Sequence, residues 1–299
     1  MTTQDERRAL VTGAFSRRMQ LRFDDRSQVS ACIKGKRIRP VCGDYVRAAP
    51  LANEPEWLIT AIEARRNELT RPGRGQKDVL AANLSAIAVM AAPEPAPDWF
   101  VVDRYLAAAE NMGARAIVTF NKSDLGVAAA ADALAEYSRC GFPVIECSTR
   151  SGAHLDALAA LLAGETAIVV GQSGVGKSSV INQLVRGAGQ RTGTLSSSSR
   201  EGRHTTVASV MLDLPNGGAI IDSPGVRDYA PALKTATEVI RGFREISASG
   251  RHCRFANCRH LREPDCAVKQ AIAAGEISAR RYESYRRLLA LSRELAEKR

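Results

Sequence analysis

The sequence predicts a mixed α/β protein in three parts: an N-terminal OB-fold β-barrel, a central domain built around a phosphate loop, and a C-terminal α-helical zinc-binding domain. Three observations predict it. Short apolar runs alternate with turn signals over the first 70 or so residues. Strands then alternate with helices, which is the pattern of a mostly parallel sheet, and one strand leads into Gly171-Gln172-Ser173-Gly174-Val175-Gly176-Lys177-Ser178-Ser179, which fits GxxxxGK[ST]. Finally, three cysteines crowd between residues 253 and 266 in a basic, helical segment.

In the first part, Arg8–Gly13, Gln28–Gly35, Gly43–Val46 and Trp57–Ile62 read as strands. A small closed barrel accounts for them, and an OB-fold or an SH3-like barrel would give much the same pattern. Lys34, Lys36, Arg37 and Arg39 gather around one turn, where OB-folds contact nucleic acid. The segment Arg71–Gln76 reads as a linker. Strands are then expected at 84–90, 116–120, 143–147, 167–170, 207–212 and 219–221, the last two joined by the turn Pro215-Asn216-Gly217-Gly218. Helices are expected at 99–112, capped by Asp98 and stopped by Gly113, at 127–139 and at 154–163. The stretch Gly187–Arg203 has almost no apolar content and reads as a loop that only a ligand or partner orders. Arg280–Leu289 reads as a helix with a basic face. The expected domains are 1–72, 77–232 and 236–299.

The composition is that of a globular chain, 45% hydrophobic and 25% charged. No apolar run is long enough to span a membrane, and Met1–Arg8 lacks the apolar core of a signal peptide, so the expected compartment is the cytoplasm. Seven cysteines, an odd number, then suggest metal binding rather than disulfides. The net charge of +10 is unevenly placed. Residues 1–75 hold 15 Lys/Arg against 9 Asp/Glu, residues 76–239 hold 13 against 16, and residues 240–299 hold 14 against 7. Two basic ends around a mildly acidic middle point to a polyanionic partner, nucleic acid.

The motifs at strand ends define the chemistry. Glycines in 171–176 let backbone N–H groups converge on phosphate, and the following helix adds its positive end. Lys177 reaches the β- and γ-phosphates, and Ser178 can ligate Mg²⁺. The strand ending at Phe120 leads into Asn121-Lys122-Ser123-Asp124, an NKxD pattern. The Asp124 carboxylate can accept two N–H bonds from the N1 and N2 edge of guanine; adenine offers no such pair. Asn121 can support the loop. The strand ending at Cys147 leads into Ser148-Thr149-Arg150-Ser151-Gly152, and that ending at Ile221 into Asp222-Ser223-Pro224-Gly225, a DxPG pattern. Asp222 can hold the Mg²⁺ shell and the Gly225 N–H can face a γ-phosphate. The joint reading is a GTP/GDP site with Mg²⁺. NKxD precedes the phosphate loop, the reverse of the usual order, so the domain is expected to be a circularly permuted P-loop GTPase sheet. DxPG then leads directly into the C-terminal part, which hydrolysis could move.

In this arrangement the chain resembles the circularly permuted GTPases of small-ribosomal-subunit maturation, the RsgA (YjeQ-like) family. The resemblance covers nearly the whole chain: an OB-fold, NKxD before GxxxxGKS, Gly202-Arg203-His204-Thr205-Thr206, DxPG, and a zinc-binding end. One departure is Ala82-Asn83-Leu84-Ser85 where Ala-Asn-Val-Asp is expected, read as variation away from the nucleotide. The resemblance implies a GTPase that binds the small ribosomal subunit and its rRNA, is stimulated by it, and acts as a monomer. Where many GTPases place Gln after DxxG, this chain has Val226, which cannot orient water. Hydrolysis without help is expected to be slow, with His204 the candidate to position the water and Thr205 or Thr206 completing the Mg²⁺ shell.

Cys253, Cys258, His260 and Cys266, with four, one and five residues between them, supply the Cys₃His set of one structural Zn²⁺ site. His252 is an alternative ligand by spacing, and the resemblance favours His260. Arg251, Arg254, Arg259 and Arg262 interleave the ligands and would face phosphate. Cys32, Cys42, Cys140 and Cys147 read as small buried residues. Two other classes remain open: a nucleotide-gated RNA-binding module, and a P-loop small-molecule kinase, which predicts ATP use and leaves the basic ends unexplained.

Overall fold

The computed structural model describes residues 6–15, 18–34, 38–52, 54–72, 77–186, 209–223 and 233–297. In chain order the elements are β1 (Arg7–Phe15), β2 (Arg18–Phe23), β3 (Gln28–Ile33), β4 (Tyr45–Pro50), β5 (Trp57–Ile62), β6 (Glu68–Pro72), β7 (Lys77–Ala82), β8 (Ala86–Ala91), α1 (Trp99–Met112), β9 (Arg115–Phe120), α2 (Ala131–Arg139), β10 (Val144–Glu146), α3 (Leu155–Leu162), β11 (Thr166–Gly171), α4 (Lys177–Arg186), β12 (Ser209–Asp213), β13 (Ala219–Asp222), α5 (Ala236–Arg241), α6 (Arg244–Gly250), α7 (Ala267–Ala273) and α8 (Ala279–Glu297). They form two compact units. One draws on residues within 1–85, 152–169 and 178–229, the other on residues within 86–151, 170–177 and 230–299.

In the first unit, β1 pairs antiparallel with β2, β2 with β3, and β4 with both β5 and β1. A parallel β3–β5 pairing closes the ring. This five-stranded closed barrel has the order of an OB-fold and settles the choice that the sequence pattern leaves open. Alternate residues of each strand fill it: Ala9 and Val11, Met19, Leu21 and Phe23, Ala31, Val46 and Ala48, and Ile59. The buried Asp44 accepts two bonds from Arg65, at 2.7 and 2.8 Å, and one from the Val41 N–H. Gly43 has φ +93°, and a Cβ there would stand 2.2 Å from the Ala82 carbonyl oxygen, so only glycine lets β7 lie against this turn.

Two features differ from the sequence expectation. Arg71 and Pro72, within the segment expected as a linker, belong to β6, which pairs antiparallel with β7, Pro72 opposite Lys77. Asn83, which the observed and the expected 82–85 patterns share, ties Arg66 to the Gly43 turn. Asn83, with φ +56°, accepts from the Arg66 N–H at 2.8 Å and donates to the Gly43 carbonyl at 2.9 Å. The second feature is β1 itself. A register shift between Val11 and Gly13 bends the strand, and its end pairs antiparallel with β12, Gly13 opposite Val210 and Ala14 opposite Ser209. Arg22 on β2 adds a two-pronged contact to Asp213, at 2.7 and 2.6 Å. β12 and β13 form the expected hairpin, and β13 runs parallel to β11.

In the second unit, β8, β9 and β10 are parallel neighbours. Every residue of β8 is buried, as a strand covered on both faces must be. α1 begins and ends as expected: the Asp98 carboxylate caps the N–H groups of Phe100 and Val101, and Gly113 takes the left-handed conformation. The helix expected at 127–139 opens with a single 3₁₀ turn, Ala128–Ala130, before α2. α3 starts one residue later than expected, with His154 at its N-cap.

The C-terminal helices share one core with α1. Val239, Phe243, Ile246, Val268, Tyr285 and Leu288 pack together with Ala107. A Cβ on Gly242 would stand 2.4 Å from that of Ala107, which shows how closely α5 approaches. The basic face expected on α8 is not wholly a solvated one. Arg281 is 1% exposed; it donates to Asp103 of α1 at 2.7 Å and to both carboxylate oxygens of Glu245 on α6. Arg280 reaches Asp103 and Glu136 of α2, and the Tyr137 hydroxyl donates to Asp103 at 2.8 Å. Arg244 adds Glu110, at 2.6 Å. Carboxylates on α1, α2 and α6 thus turn two arginines of α8 inward.

Candidate nucleotide site and metal cluster

The second unit brings together three of the motifs. Asn121 is fully buried at the end of β9. Its Nδ2 donates to the Val175 carbonyl in the phosphate loop at 2.9 Å, and its Oδ1 accepts from the Thr149 N–H at 3.3 Å. One side chain therefore ties the NKxD loop to both the phosphate loop and the turn after β10. A Cβ on Gly176 would stand 2.3 Å from Asn121 Nδ2, so glycine is required there for this contact.

Asp124 is exposed, and the buried Ser148 hydroxyl donates to its Oδ1 at 2.5 Å. Ser148 Oγ in turn accepts from the N–H groups of Arg150 and Ser151, each at 3.2 Å. The carboxylate is thus oriented from below, with acceptor capacity left for a pair of N–H donors. Lys122 takes the left-handed conformation, and its Nζ donates to the Glu94 carbonyl at 2.7 Å.

The phosphate loop follows β11. Gly171, with φ +135°, passes so close to β8 that a Cβ would meet the Met90 carbonyl oxygen at 2.2 Å. Lys177 is buried, and its Nζ donates to the carbonyls of Gly171 and Gln172, at 2.7 and 2.5 Å. That arrangement curls the loop around the ammonium group. Val175 is buried, while Ser173 and Gly174 are exposed at the open side of the loop. Gln172 faces another way: its Oε1 accepts from the Asp98 N–H at 2.7 Å, and its Nε2 donates to the Ala96 carbonyl at 3.4 Å. Pro95 lies against Gly174. The segment 94–98 is therefore a brace for both the phosphate loop and Lys122. The sequence reading places no function there, because the contacts use backbone carbonyls and N–H groups, which have no residue signature.

Ser178 and Ser179 open α4, and Asp222 ends β13, in the first unit. His204, Thr205, Thr206, Gly225 and Val226 lie outside the described residues, as do Lys36 and Arg37, residues 73–76 and the stretch 187–203.

Cys253, Cys258, His260 and Cys266 come together in the second unit, their ligand atoms all within 4.8 Å of one another. His260 Nδ1 lies 3.5 Å from the sulfurs of both Cys253 and Cys266, which are 3.9 Å apart. The cluster can hold a metal ion. Burial lowers the His260 pKa, against the pull of Glu263, and so favours the neutral, ligating imidazole. Burial also pushes the Cys258 thiol up to about 12, so using it as a thiolate ligand requires a cation at bonding distance. Two tyrosines of α8 brace the cluster: Tyr282 donates to the His260 carbonyl and Tyr285 to that of Arg259. Burial would raise the Glu263 pKa, but N–H donors including those of Arg259, Leu261 and Arg262 hold it at about 2. His252 is exposed and outside the cluster. Arg251, Arg254, Arg259 and Arg262 are exposed, as the sequence predicts. Of the other four cysteines, Cys42 and Cys147 are buried, whereas Cys32 and Cys140 are half-buried.

Comparison with known proteins decides what this arrangement is. The profile of the RsgA GTPase family matches residues 62–231, more than half of the chain. The small ribosomal subunit biogenesis GTPase RsgA of Azotobacter vinelandii is 41% identical over 95% of this chain and 85% of its own length. The chain belongs to the RsgA GTPase family. The RsgA protein of Pseudomonas aeruginosa is likewise 41% identical, over 88% of this chain and 79% of its own. The crystal structure of YjeQ from Thermotoga maritima superposes with a TM-score of 0.75 at 25% identity, covering 96% of this chain and 98% of that one. YloQ, a circularly permuted GTPase, shares the fold, with a TM-score of 0.74 at 23% identity. In this RsgA-family chain NKxD follows the strand β9, ahead of the phosphate loop after β11, so the permuted order is built into the sheet.

Proposed function

We propose that this protein is a GTPase that binds the small ribosomal subunit and hydrolyses GTP to GDP and phosphate in the late maturation of that subunit, which stimulates it. The observation that carries this reading is the oriented carboxylate of Asp124, held by Ser148 on a loop that Asn121 fastens to the phosphate loop. An acceptor-only group at that place selects guanine over adenine. The relatives' printed name, small ribosomal subunit biogenesis GTPase, supports the choice of partner.

The residues divide the work. Backbone N–H groups of Ser173–Lys177 cradle the phosphates, and Lys177 exchanges its loop carbonyls for phosphate oxygens. Asn121, Lys122 and Ser148 fix the base-reading loops. Mg²⁺, when bound with the nucleotide, neutralises charge on the β- and γ-phosphates; Ser178, Asp222 and Thr205 or Thr206 are its candidate ligands. Gly225 is the candidate to offer its N–H to the γ-phosphate, and His204 the candidate to position water, which the apolar Val226 cannot do.

At the other end, Cys253, Cys258, His260 and Cys266 hold one structural Zn²⁺. Zinc bonds of about 2.3 Å to sulfur and about 2.0–2.1 Å to nitrogen make tetrahedron edges of about 3.8 Å between sulfurs and about 3.6 Å between sulfur and nitrogen, and the observed separations of 3.9 and 3.5 Å fit them. The basic barrel loop and the arginines around the metal bind rRNA. The protein works as a monomer in the cytoplasm; among the described residues no helix is long and apolar enough to cross a membrane.

Multiple-turnover hydrolysis with and without purified small subunits tests this. Strong stimulation of GTP turnover is the expected result. No stimulation with intact, GTP-dependent subunit binding would point to a nucleotide-gated RNA-binding module, and preference for ATP to a small-molecule kinase.

A further inference from the structure

Phe255 is one of three large hydrophobic side chains that stand exposed among the described residues, at 40% exposure. It sits on the loop between Cys253 and Cys258, both members of the metal-binding cluster, and its carbonyl accepts from the Cys258 N–H at 3.1 Å. A loop fastened at both ends presents the ring with little conformational freedom left to lose on binding.

The ring has an arginine beside it. The Arg254 guanidinium lies 5.5 Å from its centroid and pairs with Asp265 at 3.1 Å. Arg251, Arg259 and Arg262 are exposed on the same stretch of chain. Of the two acids on this stretch, Asp265 is the one paired with Arg254, and Glu263 turns its oxygens onto the N–H groups of Arg259, Leu261 and Arg262. An exposed aromatic ring beside one arginine, with three more exposed arginines within seven positions of it in the chain, matches a ligand that offers flat π-faces and closely spaced negative charges together. Unpaired RNA is that ligand: its bases stack on aromatic side chains and its phosphates pair with arginine.

We propose that Phe255 is a stacking platform for an unpaired base of RNA, with Arg254 and its neighbours on the flanking phosphates. The inference rests on the proposed small-subunit function, since that partner supplies the RNA. It adds a sequence-tolerant, shape-dependent contact to what would otherwise be charge attraction alone.

The test measures the affinity of the full-length protein for purified small ribosomal subunits, with a non-hydrolysable GTP analogue bound. Phe255→Ala, Phe255→Leu and Phe255→Trp are compared with the wild type, and metal content and melting temperature serve as fold controls. Stacking predicts that Phe255→Ala and Phe255→Leu bind about 5- to 150-fold more weakly, while Phe255→Trp stays within a few-fold of the wild type. Arg254→Gln should lower the slope of log affinity against log salt by about one phosphate contact. Equal binding by Phe255→Ala overturns the proposal. So does retention of affinity by Phe255→Leu, which would mark a greasy protein contact instead. Failure of the wild type to bind small subunits would remove the functional reading beneath it.

Discussion

Ser148 shows how much of the site's selectivity is second-hand. Its hydroxyl orients Asp124 while two backbone N–H groups orient the hydroxyl. Ser148→Ala removes a hydrogen bond to a charged acceptor, worth about 1.5–3 kcal/mol. GTP and GDP affinities should therefore both fall, by about tenfold or more, as read with a fluorescent guanine nucleotide, and the loss should be similar for the two because the phosphates are untouched. Equal affinity in the variant would mean that Asp124 is held by other means. At this scale the sequence was readable wherever chemistry is carried by side-chain type: the motifs singled out Asn121, Asp124 and Lys177, whose loops the structure ties together, and the four residues that it gathers into one cluster. It was silent about the 94–98 brace, where Glu94 and Ala96 contribute carbonyls that any residue could supply.

Among the elements, α8 departs furthest from its sequence pattern. Its run of arginines reads as one solvated face, yet Arg281 is enclosed by Asp103 and Glu245. Helical periodicity tells which residues share a face but not what faces them, and those carboxylates come from helices about 180 and 36 positions away in the chain. Arg281→Met takes one partner from the buried Asp103, which keeps Arg280 and Tyr137, and both bonds from the part-buried Glu245, and should cost roughly 3 kcal/mol. Arg286→Met, which breaks only an exposed pair with Glu283, should cost within about 0.5 kcal/mol. Chemical denaturation of the two variants checks this; similar midpoints would show that the buried cluster is dispensable. Strand β2 was legible but passed over. Arg18–Phe23 alternates polar and apolar, and Met19, Leu21 and Phe23 point into the barrel.

For the whole molecule, each of the two compact units is assembled from segments far apart in the chain. Contact between such segments leaves no local mark in a sequence. The C-terminal helices share a core with α1 rather than standing apart as an arm, so the motion expected from DxPG would have to carry α1 along. The metal cluster lies at the edge of that shared core, with Cys258 and Cys266 counted in it. A strong chelator should release about one zinc ion per chain and lower the melting temperature, and Zn²⁺ but not Mg²⁺ should restore it. An unchanged melting curve after metal loss would refute a structural role. The double pairing of β1 reaches further than stability. A strand that seals the barrel at one end and flanks β12 at the other makes the barrel a poor unit of exchange. Removing residues 1–72 would strip β12 of a neighbour and leave an open sheet edge prone to self-association. A replacement barrel would have to bring a first strand long enough, and bent enough near Thr12, to close that edge again.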